Sequence, residues 1–139
     1  MHKKIIALLC SFMLIGSFNV TDCSTAAVVQ PDAPAYSYTS ECRSELSVSG
    51  TTLTCSSKLT GYNNITDKID VYQYLEKKNS SNEWETINSW TGSTFFFKAS
   101  ITNYKYSASS GTYRLKTTFR VFSGINCETI TKYSATRTI

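Results

Sequence analysis

The feature that most constrains the fold is a strict alternation of residue types between Tyr113 and Val121. Successive side chains of a β-strand point to opposite faces of the sheet, so this pattern predicts a strand with one face in a core and the other in water. The core side would carry Tyr113, Leu115, Thr117, Phe119 and Val121, and the solvent side Arg114, Lys116, Thr118 and Arg120.

The same alternation recurs from Ser40 onward and is interrupted by clusters of Gly, Asn and Ser, without a stretch of helical periodicity. It predicts an all-β domain over residues 40–139, a seven-stranded antiparallel β-sandwich of the immunoglobulin or fibronectin type, with a closed barrel as the alternative. The predicted strands are Cys42–Val48, Leu53–Leu59, Lys68–Lys77, Trp84–Thr91, Phe95–Phe97, Tyr113–Val121 and Cys127–Ser134.

Two local motifs refine this prediction. Ser49 and Gly50 can form a two-residue turn between the first two strands, which would place Leu46 opposite Leu53. Gly111, two residues before Tyr113, resembles the tyrosine corner of immunoglobulin-like domains.

The N-terminus has the organisation of an export signal. His2, Lys3 and Lys4 precede a mostly apolar stretch, and small residues ending at Ala27 offer a cleavage site. We therefore expect a cleaved signal peptide at residues 1–27, a Pro-containing leader at residues 28–39, and a secreted, extracellular product. The apolar stretch is shorter than the roughly 20 residues that span a bilayer, so no membrane insertion is expected after cleavage.

Composition excludes several classes of function. The single histidine, His2, leaves with the signal, which excludes a Ser-His-Asp or Cys-His nucleophile and any metal site containing histidine. The acids Glu83 and Glu85 read as solvated charges near a turn. The net charge of +4 is small and dispersed, which argues against nucleic acid as a partner. The sequence predicts no enzyme, no cofactor and no metal.

Three cysteines remain after the predicted cleavage: Cys42, Cys55 and Cys127. Cys42–Cys55 would need a register change, because the predicted turn leaves the two residues as diagonal neighbours, beyond easy disulfide reach. Cys42–Cys127 is the rival pairing, and the absence of any bridge is the third possibility. Cys55 also suits a buried position, since it shares a face with Leu53 and Leu59.

A candidate ligand face is formed by aromatic and basic residues. Tyr72 and Tyr74 alternate with the apolar side of the third strand and should point to solvent. Trp84 and Trp90 share a parity, so both join this face if Ile87 points inward, and both enter the core if Ile87 points outward. Burial is the commoner state of tryptophan. The candidate residues are Tyr72, Tyr74, Trp84, Trp90, Arg114, Lys116 and Arg120.

Five segments resemble recurring blocks of small secreted β-sandwich proteins of Gram-positive, largely clostridial, bacteria. They span residues 52–56, 75–78, 84–90, 111–116 and 128–134, in order and at similar spacing. The resemblance implies export and a sandwich fold, and it implies no active site.

The sequence thus predicts a secreted, non-enzymatic interaction or structural module. Its partner would be an unknown protein or an envelope polysaccharide. The alternative is a module that binds carbohydrate or a cell-wall polymer through the exposed aromatic face.

Overall fold

A computed structural model describes residues 36–139, and the regular structure of this part is entirely β-strand. The predicted signal peptide, residues 1–27, and most of the predicted leader lie outside the described residues. The strands are β1 (Thr39–Ser49), β2 (Thr52–Gly61), β3 (Lys68–Lys78), β4 (Trp84–Thr94), β5 (Lys98–Lys105), β6 (Thr112–Ser123), β7 (Asn126–Tyr133) and β8 (Arg137–Thr138).

The strands form two antiparallel sheets. One has the order β1-β2-β5, and the other has the order β4-β3-β6-β7, with the short β8 paired to β6. Two separate sheets exclude the barrel, and the prediction of an immunoglobulin-type or fibronectin-type sandwich is confirmed. The short β8 was not predicted and raises the number of strands from seven to eight, three in one sheet and five in the other. The fourth strand pairs with the third, whereas a constant immunoglobulin domain places that strand in the other sheet.

The core has two apolar clusters. The first surrounds the N-terminal half of β6 and includes Leu53, Leu75 and Leu115. The second surrounds the C-terminal half of β6 and includes Ile69, Phe119 and Val121. The alternation predicted for β6 is confirmed, because every core-side residue from Tyr113 to Val121 is buried and every residue between them is only partly covered.

A buried polar layer separates the two clusters. The Gln73 side-chain amide donates to Ser57 Oγ at 2.7 Å and its carbonyl oxygen accepts from Asn103 Nδ2 at 2.8 Å. The Thr117 hydroxyl lies 2.7 Å from that of Ser57 and 2.8 Å from that of Ser44. These bonds connect both sheets, so the layer fixes how one sheet sits on the other.

The tyrosine corner predicted at Tyr113 is confirmed. The side chain is buried, and its hydroxyl donates to the carbonyl oxygen of Ser109 at 2.5 Å. The hydroxyl thereby ties the start of β6 to the segment that leads into it, as in other immunoglobulin-like domains.

The segment before β1 packs onto the domain. The buried carboxylate of Glu128 accepts from the backbone N–H groups of Ser37 at 2.8 Å and Tyr38 at 3.0 Å. Tyr36 and Tyr38 pack against the second apolar cluster. The last residues of the predicted leader are therefore in contact with the core.

The fifth strand is not where the sequence placed it. Residues Phe95–Phe97 form a bend, β4 continues through Gly92 to Thr94, and β5 begins at Lys98. Gly92 lies where the two sheets approach each other closely. A Cβ atom there would lie 3.1 Å from Ile101 Cδ1, tighter than ordinary van der Waals contact.

The turn between β1 and β2 also differs from the prediction. Its two central residues are Gly50 and Thr51, so Leu46 lies opposite Cys55 and not opposite Leu53. Gly50 has φ of +59°, a left-handed conformation that glycine adopts without steric cost and that two-residue hairpin turns require. The register shift of two residues preserves which side chains face the core.

This register decides the cysteine pairings. Cys42 lies opposite Leu59, four residues along β2 from Cys55, and four residues of strand span roughly 13 Å, far beyond disulfide reach. Cys42 and Cys55 are free thiols, so neither predicted pairing, Cys42–Cys55 or Cys42–Cys127, is formed. The expected burial of Cys55 is confirmed, and burial raises the pKa of its thiol to about 12.

Candidate binding face

A β-bulge in β4 separates the two tryptophans. The register between β3 and β4 shifts after Leu75, where Ile87 has no partner on β3. Trp90, before the shift, lies opposite Gln73 and packs against the first apolar cluster, whereas Trp84, beyond it, lies opposite Lys78 on the other side of the sheet. The prediction that both tryptophans share a face is therefore wrong, because an extra residue in one strand reverses the parity that follows it.

The side of the four-stranded sheet that is turned away from the core is called here the outer face. Paired residues form rows across it, one of which is Ser89, Tyr74, Lys116 and Tyr133. The structure brings six of the seven predicted residues to this face and sends Trp90 to the other. The six are Tyr72, Tyr74, Trp84, Arg114, Lys116 and Arg120.

The guanidinium of Arg114 lies between two aromatic rings. Its Cζ atom is 4.3 Å from the centroid of Trp84 and 4.5 Å from that of Tyr133, both within the range of cation–π attraction. Its Nε donates to Glu76 Oε2 at 2.5 Å. Two rings and one carboxylate therefore fix the orientation of the guanidinium, while its Nη groups have no hydrogen-bond partner among residues 36–139.

Tyr133 completes this arrangement and was missed in the sequence. It is half exposed and belongs to β7, opposite Lys116. The alternation along β7 indicates that Tyr133 faces away from the core, because it differs in parity from the buried Ile130. The register of β7 against β6 is needed to place Tyr133 beside Arg114.

Other cations on the outer face also lie near rings. Lys116 Nζ is 5.7 Å from the Tyr74 centroid, and Lys78 Nζ is 5.3 Å from that of Trp84. Cation–π attraction at exposed sites contributes only about 0.5–1 kcal/mol, so a ligand can displace these ammonium groups from the aromatic rings.

The charges of the outer face are unbalanced toward cations. Five cationic side chains share it with two carboxylates, Asp70 and Glu76. Asp70 pairs with Lys68 Nζ at 3.0 Å and accepts from Ser93 Oγ at 2.6 Å, while Glu76 is bound by Arg114. Both carboxylates are thus neutralised, and Lys78, Lys116 and Arg120 form no ion pair within the part of the chain that the structure describes. The free cations favour an anionic ligand.

An open depression of about 440 Å³ lies on the outer face beside Tyr72. Its other walls are polar, from Asp70, Lys68 and the hydroxyl-bearing Thr91 and Ser93. A ring flanked by hydroxyl, ammonium and carboxylate groups matches the mixed apolar and polar surface of a sugar, although the depression is too open to enclose one.

Asn79 organises the β3–β4 turn, where it binds the side chain of Glu85 and the backbone of Glu83. The Glu85 carboxylate accepts from Asn79 Nδ2 at 2.8 Å, and Asn79 Oδ1 accepts from the backbone N–H of Glu83 at 2.9 Å. Within residues 36–139, no cluster of three or more His, Cys, Asp or Glu side chains could hold a metal ion. The same residues contain no helix long and apolar enough to cross a membrane.

Fold and face together define a small immunoglobulin-like sandwich with an aromatic, cationic sheet surface. No protein-family model matches the chain, and no curated protein is similar to it in sequence. Among solved structures, the CARDB domain of a Pyrococcus furiosus protein, solved in complex with di-metal ions, is similar at 12% identity and a TM-score of 0.37. The match covers 78% of this chain and 100% of that domain.

Proposed function

We propose that this protein is a secreted, non-enzymatic binding module, and that its outer face binds an acidic polysaccharide of the cell envelope. The observation that carries the proposal is the arrangement around Arg114, whose guanidinium is held by Trp84, Tyr133 and Glu76 while its Nη groups have no hydrogen-bond partner in the described part of the chain. A guanidinium fixed in this way presents paired N–H donors to a carboxylate or phosphate with little loss of entropy on binding.

The surrounding residues support a repeating ligand. Lys116 and Arg120 lie on the same side of β6 as Arg114, two and six residues further along the strand, so their backbone positions are about 7 Å and about 20 Å from that of Arg114. Tyr72 and Tyr74 lie beside them on β3 and offer ring surface for sugar stacking. A polymer with a charged group on each sugar can use both sets of side chains.

A binding measurement with defined polymers tests the proposal. We expect the protein to bind polygalacturonate, which carries carboxylates, more tightly than neutral dextran, and to lose this preference at high salt because exposed charges are screened. Lys116→Gln should weaken binding about fivefold, the value of one exposed charge contact. Trp84→Ser should weaken it further, because the guanidinium loses one of its two rings.

Matched controls come from the opposite sheet. Lys58 and Tyr104 are exposed residues on the outward side of β2 and β5, so Lys58→Gln and Tyr104→Ser change charge and aromatic surface by the same amounts away from the outer face. Equal losses in both pairs of variants would refute the proposed face. Binding to dextran and polygalacturonate with equal affinity would refute the acidic ligand.

Export has its own test. The intact mass of protein recovered from culture medium should correspond to a chain that begins after Ala27. Recovery of the full-length chain from the cell interior alone would contradict the secreted location.

A further inference from the structure

One end of the sandwich carries large apolar side chains in solvent. Phe95 is 85% exposed and Ile125 is fully exposed, and Phe96 is also exposed. Tyr62 and Ile65, in the loop between β2 and β3, are exposed to a smaller extent. Single exposed apolar residues are normal on soluble proteins, but a group of five at one place is the signature of a contact surface.

The three loops that carry these residues lie at the same end of the fold. Ile69, near the start of β3, is paired with Thr94 at the end of β4 and with Val121 near the end of β6. Consequently the β2–β3, β4–β5 and β6–β7 connections converge. We call this end the apolar tip, and it consists of Tyr62, Ile65, Phe95, Phe96 and Ile125.

Hydrogen bonds hold the loops of the apolar tip together. The backbone N–H of Gly61 donates to the Phe97 carbonyl at 2.6 Å, and that of Gly124 donates to Asp67 Oδ2 at 2.6 Å. The apolar side chains therefore protrude from a connected base, which lowers the entropy that would be lost when they are buried by a partner.

Cations lie directly behind the apolar tip. Lys68 Nζ is 5.7 Å from the Phe95 ring, and Lys98 Nζ is 5.4 Å from the Phe97 ring. Two acids lie near these cations: Asp67, one of whose carboxylate oxygens accepts from the N–H of Gly124, and Asp70, which pairs with Lys68 Nζ at 3.0 Å, whereas Lys98 forms no ion pair within residues 36–139. A protruding apolar group with cations one layer behind it matches the layers of an anionic lipid surface, in which charged headgroups overlie the acyl chains.

We propose that the apolar tip inserts into the interface of an anionic lipid bilayer, with Lys68 and Lys98 in contact with the headgroups. A protein partner fits the shape less well, because a stable interface buries about 800 Å² on each side and anchors its side chains in pockets. The tip instead offers separate side chains on three loops. The proposal does not depend on the function proposed for the outer face, since none of the five apolar residues belongs to that face.

Vesicle sedimentation with the protein tests the inference. Vesicles of equal parts phosphatidylglycerol and phosphatidylcholine should bind the protein, and vesicles of phosphatidylcholine alone should bind it less. Replacing both Phe95 and Ile125 with Ser should weaken partitioning by at least about tenfold, because each side chain loses its burial in the interface. Ile125→Ser alone, at an exposed turn position, should give a smaller loss without any risk to folding.

Tyr106→Ser is the matched control. Tyr106 is 66% exposed but follows the far end of β5, so this variant removes a similar aromatic surface from the opposite end of the domain. Its partitioning should equal that of the unmodified protein. Lys98→Gln should weaken binding to the anionic vesicles and leave the weak binding to phosphatidylcholine unchanged.

Three results would overturn the proposal: no sedimentation with anionic vesicles, equal losses for the tip variants and Tyr106→Ser, or a concentration-dependent dimer that is lost in Ile125→Ser. The last result would assign the apolar tip to a second copy of this chain. Polygalacturonate binding by the same Phe95 and Ile125 variant should be unchanged, so failure of this inference is separable from failure of the proposed function.

Discussion

The buried side chain of Gln73 should be worth more to stability than any exposed ion pair in the domain. Gln73 is fully buried, and its amide joins Ser57 of the facing sheet, the carbonyl oxygen of Cys55 and the side chain of Asn103. Gln73→Ala removes these bonds together and leaves a cavity between the two apolar clusters. The polar layer then loses the member that makes most of its contacts.

The magnitude follows from two contributions. Asn103, which is partly buried, is left with an amide that has lost its acceptor, which costs about 1–2 kcal/mol, while Ser57 keeps its bond to Thr117. Truncation of a buried side chain of this size adds about 2 kcal/mol for the cavity. We expect Gln73→Ala to lower the free energy of unfolding by about 3–4 kcal/mol, and the midpoint of thermal unfolding by at least about 12 °C.

Two further variants separate the contributions. Gln73→Leu fills the cavity but keeps the orphaned amide, so it should cost about 1–2 kcal/mol. Adding Asn103→Leu removes that amide and should recover most of the loss, because replacing both partners of a buried hydrogen bond is much less costly than replacing one. Urea unfolding monitored by circular dichroism measures all three. If Gln73→Leu proved as stable as the unmodified protein, the layer would contribute nothing and the reasoning would be refuted.

Three other predictions concern particular residues. Tyr113→Phe should cost about 1–2 kcal/mol in urea unfolding, since the Ser109 carbonyl loses its donor; no loss would contradict a structural corner. Above pH 9.0 a cysteine thiol in the unfolded chain ionises, whereas the buried Cys55 thiol, whose pKa is about 12, stays protonated. The free energy of unfolding should therefore fall by up to about 1.4 kcal/mol per pH unit, and this dependence on pH should be weaker in Cys55→Ala. Both tryptophans are partly buried, Trp90 against the first apolar cluster and Trp84 against the cations Arg114 and Lys78, so the emission of Trp84 in Trp90→Phe should lie to the red of the emission of Trp90 in Trp84→Phe; equal spectra would contradict this difference in environment.

Much of the fold could be predicted from the sequence because β-strand parity is a property of the backbone alone. The alternation from Tyr113 to Val121 fixed which residues of β6 are buried, and the spacing of Gly111 and Tyr113 fixed the corner that precedes them. Gln73 shares the parity of Val71 and Leu75 and so belonged to the core by the same rule. Its partners could not be predicted, because they lie on β2 and β5 of the facing sheet, far from Gln73 along the chain.

The errors have a common origin in how strands meet. The bulge at Ile87 shifts the register of β4 by one residue, and an exposed, polar strand has no residue pattern that reveals the shift. The sequence therefore could not show that Trp84 and Trp90 point to opposite faces of the sheet. The apolar residues Phe95–Phe97 have the composition of a strand, but they form a bend, because the chain passes there from β4 of one sheet to β5 of the other; Phe95 and Phe96 are exposed and Phe97 is partly buried. Periodicity contains neither type of information.

Lys68 connects the two surfaces for which functions are proposed. Its ammonium pairs with Asp70 on the outer face, and it also lies over Phe95 of the apolar tip and over Phe122, 5.0 Å from that ring. Lys68→Gln would therefore leave the carboxylate of Asp70 without a counter-ion on the outer face and remove a positive charge from the tip. It should weaken binding both to polygalacturonate and to anionic vesicles. Lys116→Gln should weaken only the binding of polygalacturonate, and Lys98→Gln should weaken only the binding of anionic vesicles. Two adjacent but separate surfaces require this pattern, in which one variant affects both ligands and each of the others affects one.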